Sequence, residues 1–327
     1  MRRTKLKFDK FVWVHFLGLT AVAILLTLCV APRLMGQQRS QKTFASAEEA
    51  SKALMAAAQS NDEKVLLEIL GPDGKQIVSS GDDAEDAQSR ANFVQKYQEM
   101  HRLVREPDGS TVLYIGAENW PTPIPLVKKG GAWYFDTEAG KEEILFRRIG
   151  ENEISAIGVC DELVAAEKEY RSAQHNEYAQ RMFSEEGHHN GLYWTATENE
   201  PQSPIGPLLA SAVVDDDGRS QGRAPTPFRG YYFRILTRQG KDSPGGPKSY
   251  IIAGKMSEGF AFVAYPAEYG SSGVMTFIVS EDGDVYEKDL GERTEYFAKS
   301  MKEYNPNGTW QKADEQQEES ASADKNN

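Results

Sequence analysis

Apolar and polar positions alternate differently in three stretches of the chain, and each stretch predicts its own elements. Ser46 stands before an alanine-rich run, with Glu49 three residues later, which is the spacing of a capping box. It predicts a helix over 46–58, led in by Phe44. Asn61 is the expected cap of a second helix, 62–70, stopped by Gly71-Pro72, and Asp73-Gly74 reads as a turn. After the acidic loop GDDAED (81–86), the stripe Phe93, Tyr97, Met100, Val104 has helical spacing and predicts a third helix near 87–104. TVLYIG (111–116) reads as a strand. WPTPIP (120–125) is excluded from a central strand, because three prolines lack donors. Residues 124–128 and 132–136 then predict a hairpin around Lys129-Gly130-Gly131.

The second half opens with a long helix, placed at about 152–182 by the stripe Ala156, Cys160, Leu163, Ala166, Tyr170, Ala173. Residues 184–227 are polar and turn-rich. Five β-patterned runs follow at 230–237, 248–254, 259–266, 273–280 and 284–290, with Asp282-Gly283 as a hairpin turn. The expected fold class is α+β: N-terminal helices with a small antiparallel sheet, then a long helix packed on a four- to five-stranded antiparallel meander. The expected organisation is a linker at 37–43, an N-terminal domain at 44–150, a C-terminal domain at 151–310 and an acidic tail from 311. The tail has no apolar residue larger than alanine and is expected to bury nothing.

Residues 1–10 carry five basic side chains against Asp9, and residues 11–31 (FVWVHFLGLTAVAILLTLCVA) carry no formal charge. A basic start followed by an apolar run is an export signal, with the positive end left in the cytoplasm. The apolar run is long: as a helix it spans about 31 Å, enough for a bilayer. No A-x-A cleavage site follows. A cleaved signal peptide over 1–36 and a retained inner-membrane anchor at 11–31 both stay open, and either places the body in the periplasm or outside the cell. Leu28 before Cys29 is too bulky for a lipoprotein signal.

Several motifs carry a resemblance. FASAEEA (44–50), the run from Trp120 to Ile154, SPIGPLLA (203–210), RGYYFRIL (229–236) and the run from Gly259 to Gly291 resemble a bacterial family of exported proteins, the domain-of-unknown-function family twenty-nine-fifty. The resemblance covers about 44–310 and implies no assigned activity and no catalytic residue. More weakly, residues 156–182 and the later strands are similar to the heads of type IV pilins and pseudopilins, which implies a helix laid on an antiparallel sheet. The prepilin Gly-Phe cleavage site and its following glutamate are absent from the N-terminus.

Composition narrows the function. The chain has 37 Lys and Arg against 49 Asp and Glu, net −12, which argues against general nucleic-acid binding. Two cysteines exclude a disulfide scaffold. Cys160 lies on the apolar stripe and reads as an inert core thiol. Glu185, Glu186, His188 and His189 cluster in SEEGHHNG, a weak metal candidate, because adjacent side chains seldom converge on one ion. VVDDDGR (213–219) lacks the later ligands of a calcium loop. YGSSGVM (269–275) is not a nucleophile elbow.

Arg147 and Arg148 are the notable basic pair. They read either as ion-pair partners of Glu142, Glu143 or Glu151, or as contacts for an anionic ligand or a partner. Exposed aromatics at Trp120, Trp194, Tyr265 and Tyr269, with Trp133 as a core residue, complete the expected contact set. The reading is an exported envelope protein without cofactor that binds or assembles with another envelope component, touching the membrane only through its N-terminal segment. The alternative is a hydrolase using paired carboxylates such as Glu142-Glu143 or Glu151 with Glu153, with histidine assistance.

Overall fold

A computed structural model of the chain describes residues 41–79, 83–173, 176–196, 200–214 and 224–313. The apolar N-terminal run, Asp215–Arg219 of the calcium-like stretch, His175 and the tail from residue 314 lie outside the described residues. The described residues belong to one compact unit that begins at Gln41. The chain is already fixed there: the Gln41 amide donates to the carbonyls of Ile69 and Phe135, and Phe44 forms a β-bridge with Trp133.

Four helices open the fold: α1 (Ala47–Gln59), α2 (Glu63–Leu70), α3 (Lys75–Val78) and α4 (Asp83–Glu99). Ser46 caps α1 as expected, accepting the Glu49 N–H at 3.1 Å, while the Glu49 carboxylate reaches back to Ala45 N–H. The cap of α2 is Asp62 rather than Asn61. Asn61 instead takes a positive φ of 54° and offers its side-chain oxygen to Arg90.

Helix α4 ends at Glu99, earlier than the periodicity predicts. Residues 101–105 leave the helix to form β1 (His101–Arg105), which pairs antiparallel with β2 (Thr111–Ile115) across the Pro107-Asp108-Gly109 turn. Val104 therefore meets Val112 across a sheet, and its helical spacing from Met100 is coincidental. β3 (Trp120–Pro121), β4 (Leu126–Lys129) and β5 (Ala132–Phe135) complete a five-stranded antiparallel sheet.

The long helix α5 runs from Thr137 to Ala173. It starts about fifteen residues before the expected position and ends about nine before it. Its first turn is tied to α2 by Thr137 Oγ1, which donates to Leu70 O at 2.6 Å. Gly140 then lets the helix lie against Ile124: an added Cβ would stand 2.7 Å from Ile124 Cγ1. Further on, the expected stripe turns inward, with Ala156, Cys160, Leu163, Ala166 and Tyr170 buried and Ala173 exposed.

The rest comprises α6 (Pro207–Ala212), β6 (Tyr231–Leu236), β7 (Arg238–Gln239), β8 (Lys248–Ser249), β9 (Ile251–Ile252), β10 (Lys255–Met256), β11 (Ala261–Pro266), β12 (Met275–Ser280), β13 (Val285–Asp289), α7 (Thr294–Ser300) and β14 (Gln311–Lys312). The main sheet has the order β14-β13-β12-β11-β6, all antiparallel. It is the expected meander with two differences. The 248–254 run is not one of its strands but two short ones, in separate small hairpins. Gln311 and Lys312, expected in the tail, pair with β13, and Ala313 is buried. β11 is buried at every position, with α5 and α7 both packed against it. Arg234 of β6 donates to the carbonyls of Ala298 and Met301 at the end of α7, where a cation suits the exposed carbonyls.

Candidate functional site

The first four helices do not close fully on the small sheet. Leu54 and Ala58 of α1, Leu66 and Leu70 of α2, Ile77 and Val78 of α3, and Phe93 of α4 face Ile115, Ile124 and Phe135 across an open cavity of about 410 Å³. The proline-rich WPTPIP segment supplies one wall through Thr122, Pro123 and Ile124. It runs beside β2 without becoming a full strand, and this leaves the wall irregular. Asp86, Ser89 and Arg90, on the first turns of α4, bring polar groups to the cavity. Trp120 stands at its rim, half exposed.

Arg147 supports that rim from α5. Its guanidinium lies over the Trp120 ring at 5.3 Å, Nε donates to Glu143 at 2.6 Å, and an NH group donates to Pro121 O at 2.8 Å. The ion pair with Glu143 agrees with one of the two expected roles, and the rest of the guanidinium fixes Trp120. Arg148 is exposed.

The other expected contact residues do not join this site. Trp194 and both candidate histidines border a separate polar pocket of about 390 Å³. The Trp194 indole N–H donates to Pro201 O, and its ring stacks on His189 at 4.4 Å. Glu185 in the same loop is held by Arg181 and Asn190, and the Arg181 hydrogen bond pulls its carboxyl below the usual range. Among the described residues, no group of three or more histidine, cysteine or acidic side chains is arranged to hold a metal. Tyr269 is half-buried and donates to Asp289 at 3.2 Å. Tyr265 corrects the expectation: it sits in β11 with no exposed surface, because that strand is covered on both faces, and its ring is core rather than contact surface.

Buried acids are the other notable chemistry. Glu167 of α5 is fully buried. Its Oε2 accepts Ala179 N–H at 2.8 Å, and burial pushes its carboxyl well above the ordinary range. Glu153 accepts the N–H groups of Val274 and Met275 at 2.8 and 3.0 Å. Glu287, opposite Phe277 in the meander, is raised by burial and secondarily by Glu153. This is a carboxylate pair, but not one of those named from the sequence. Neither member borders the cavities around Leu54, Leu209, Trp194 and Arg234. Cys160 is buried, and burial raises its thiol, as its place on the stripe implies.

The cavity's lining was missed by sequence reasoning, except for Trp120. Phe93 was legible as a helix-stripe residue. The sequence reading puts Asp86 in the acidic loop before the helix and does not single out Arg90.

The body is thus an α+β unit with an apolar cavity beside its smaller sheet. Residues 41–313 match the family described as Protein of unknown function (DUF2950), and the chain belongs to that family. No curated protein matches the chain, and no solved structure does. The likeness to pilin heads is therefore without a matching structure. Among the described residues no helix is long and apolar enough to cross a membrane.

Proposed function

We propose that the protein is exported by its N-terminal segment and acts in the cell envelope as a non-enzymatic binding module, with the apolar cavity as its binding site. The observation that carries this reading is the cavity itself: about 410 Å³, walled by aliphatic and aromatic side chains and edged by a few polar groups, as ligand sites are. The basic start and uncharged run over 11–31 support export, with the segment either cleaved or retained as an anchor. The half-exposed Trp120, braced by Arg147, is suited to contact either a ligand or another envelope protein.

A second reading, a carboxylate hydrolase, has one observation in its favour: Glu153 and Glu287 lie close enough to influence one another. Against it, Glu287 is almost wholly enclosed. One experiment separates the readings. The protein is isolated from the envelope fraction of its host, and its mass is measured under native and denaturing conditions. The binding reading expects a non-covalent adduct that is lost on denaturation, and an N-terminus consistent with export. Recovery of the intact chain from the cytosol would contradict export. Turnover of an envelope substrate that stops with Glu287→Gln would favour the hydrolase.

A further inference from the structure

We infer that the cavity beside the small sheet takes an amphipathic monoanion, with a single apolar chain inside and an oxyanion head against Arg90. This rests on the binding reading above and adds the chemistry of the ligand. The walls formed by Leu54, Leu66, Phe93 and Ile124 favour a hydrocarbon body, which leaves water on entering. The volume of about 410 Å³ is near the lower end of ligand sites, which suits one chain rather than two.

The head group follows from the charges. Arg90 Nε donates to the side-chain oxygen of Asn61, and an NH group donates to Val78 O at 3.1 Å. Both acceptors are neutral, and among the described residues no carboxylate pairs with this guanidinium. Arg90 is half-buried, and like Arg171 it is held by neutral acceptors; unlike Arg171 it borders the cavity. Asp86, one turn earlier on α4, is nine-tenths buried, borders the same cavity and has an interaction of its own. Among the other polar groups of the lining, the Trp120 indole N–H and the Thr122 hydroxyl have no acceptor among the described residues, while Gln76 and Ser89 carry groups that both donate and accept. A guanidinium, with further donors in the same lining, matches a carboxylate. A cationic head would meet Arg90 between apolar walls, where repulsion is weakly screened.

The test is calorimetric titration of the full chain at neutral pH with decanoate, decanol and decylamine, which share one chain and differ in head charge. Decanoate should bind about tenfold more tightly than decanol or better, as expected of a charge-assisted hydrogen bond, and decylamine weakest. Arg90→Gln should remove that advantage and leave decanol unchanged, while Arg90→Lys should keep part of it. Leu54→Trp, which fills the cavity, should abolish binding of both. Equal affinity for decanoate and decanol, or an Arg90→Gln variant that binds decanoate as before, would overturn the anionic ligand while leaving the cavity a binding site. No binding by any compound, or binding indifferent to Leu54→Trp, would overturn the ligand class and the cavity reading together. Thermal unfolding of each variant confirms that the fold is kept.

Discussion

Replacing Glu167 by glutamine should make stability less sensitive to pH, by an amount that follows from its surroundings. The carboxyl is fully enclosed, with one oxygen accepting Ala179 N–H at 2.8 Å and the other lacking a partner. Burial without a cationic neighbour holds it protonated in the folded state, well above its ordinary 4.5. In the unfolded chain it ionises near that ordinary value. Because the folded pKa is the higher one, the stability tied to this proton is fully present below about pH 4.5 and is lost as pH rises towards the folded pKa. Each pH unit in that window costs about 1.4 kcal/mol. The cost accumulates until the pH reaches the folded pKa. Glutamine never ionises and avoids it. At pH 4 the variant should be the less stable by about 1–3 kcal/mol, since its amide leaves buried N–H donors unpaired. Between pH 4 and 7 its stability relative to the parent should climb, by about 1.4 kcal/mol per pH unit for as long as the folded carboxyl keeps its proton. Urea unfolding followed by circular dichroism at pH 4, 5, 6 and 7 gives both curves. A constant difference across that range would show that Glu167 is not held neutral, and the reasoning would fail.

Other expectations rest on single contacts. Gly140→Ala should destabilise by about 1–2 kcal/mol in chemical denaturation despite the better helix propensity of alanine, because the new Cβ meets the branched Ile124 side chain at 2.7 Å; trimming Ile124 to alanine in the same chain should recover part of the compatibility. Ser46→Ala should cost about 1 kcal/mol through loss of the α1 cap, read by the same assay. Cys160 should resist iodoacetamide in the native protein and react on unfolding, with the labelled residue identified by mass mapping; rapid native labelling would contradict its enclosed thiol.

Much of the fold was legible because local chemistry and tertiary structure agree. Ser46 and Glu49 mark a helix start that packing leaves intact, and Asp282-Gly283 makes a turn with Gly283 at a φ of 86°. The errors arose where a tertiary partner outweighs a local pattern. Residues 101–104 continue a helical stripe, yet β2 offers them a full antiparallel register. The first turns of α5 carry Gly140 and Gly150, which weaken a helix signal, but Gly140 is required by the close approach of Ile124. Gln311 and Lys312 have no apolar signal and are held by main-chain pairing with β13. The site was less legible than the fold. Trp120 and Arg147 were singled out separately, and only the three-dimensional arrangement joins them at one rim. Arg90 was hidden because an unpaired charge is defined by what surrounds it, and sequence does not show surroundings. Tyr265 was misjudged because it stands near the end of the predicted 259–266 strand, and the sequence does not show that both faces of that strand are covered.

Everything functional here depends on the space between α1, α2, α4 and the small sheet being open and apolar. Diffraction from crystals held under xenon pressure examines that directly, since xenon enters dry apolar cavities. Xenon density enclosed by Leu54, Leu66, Phe93 and Ile124 is expected. Side chains closed over that space, or xenon bound elsewhere and not there, would contradict it.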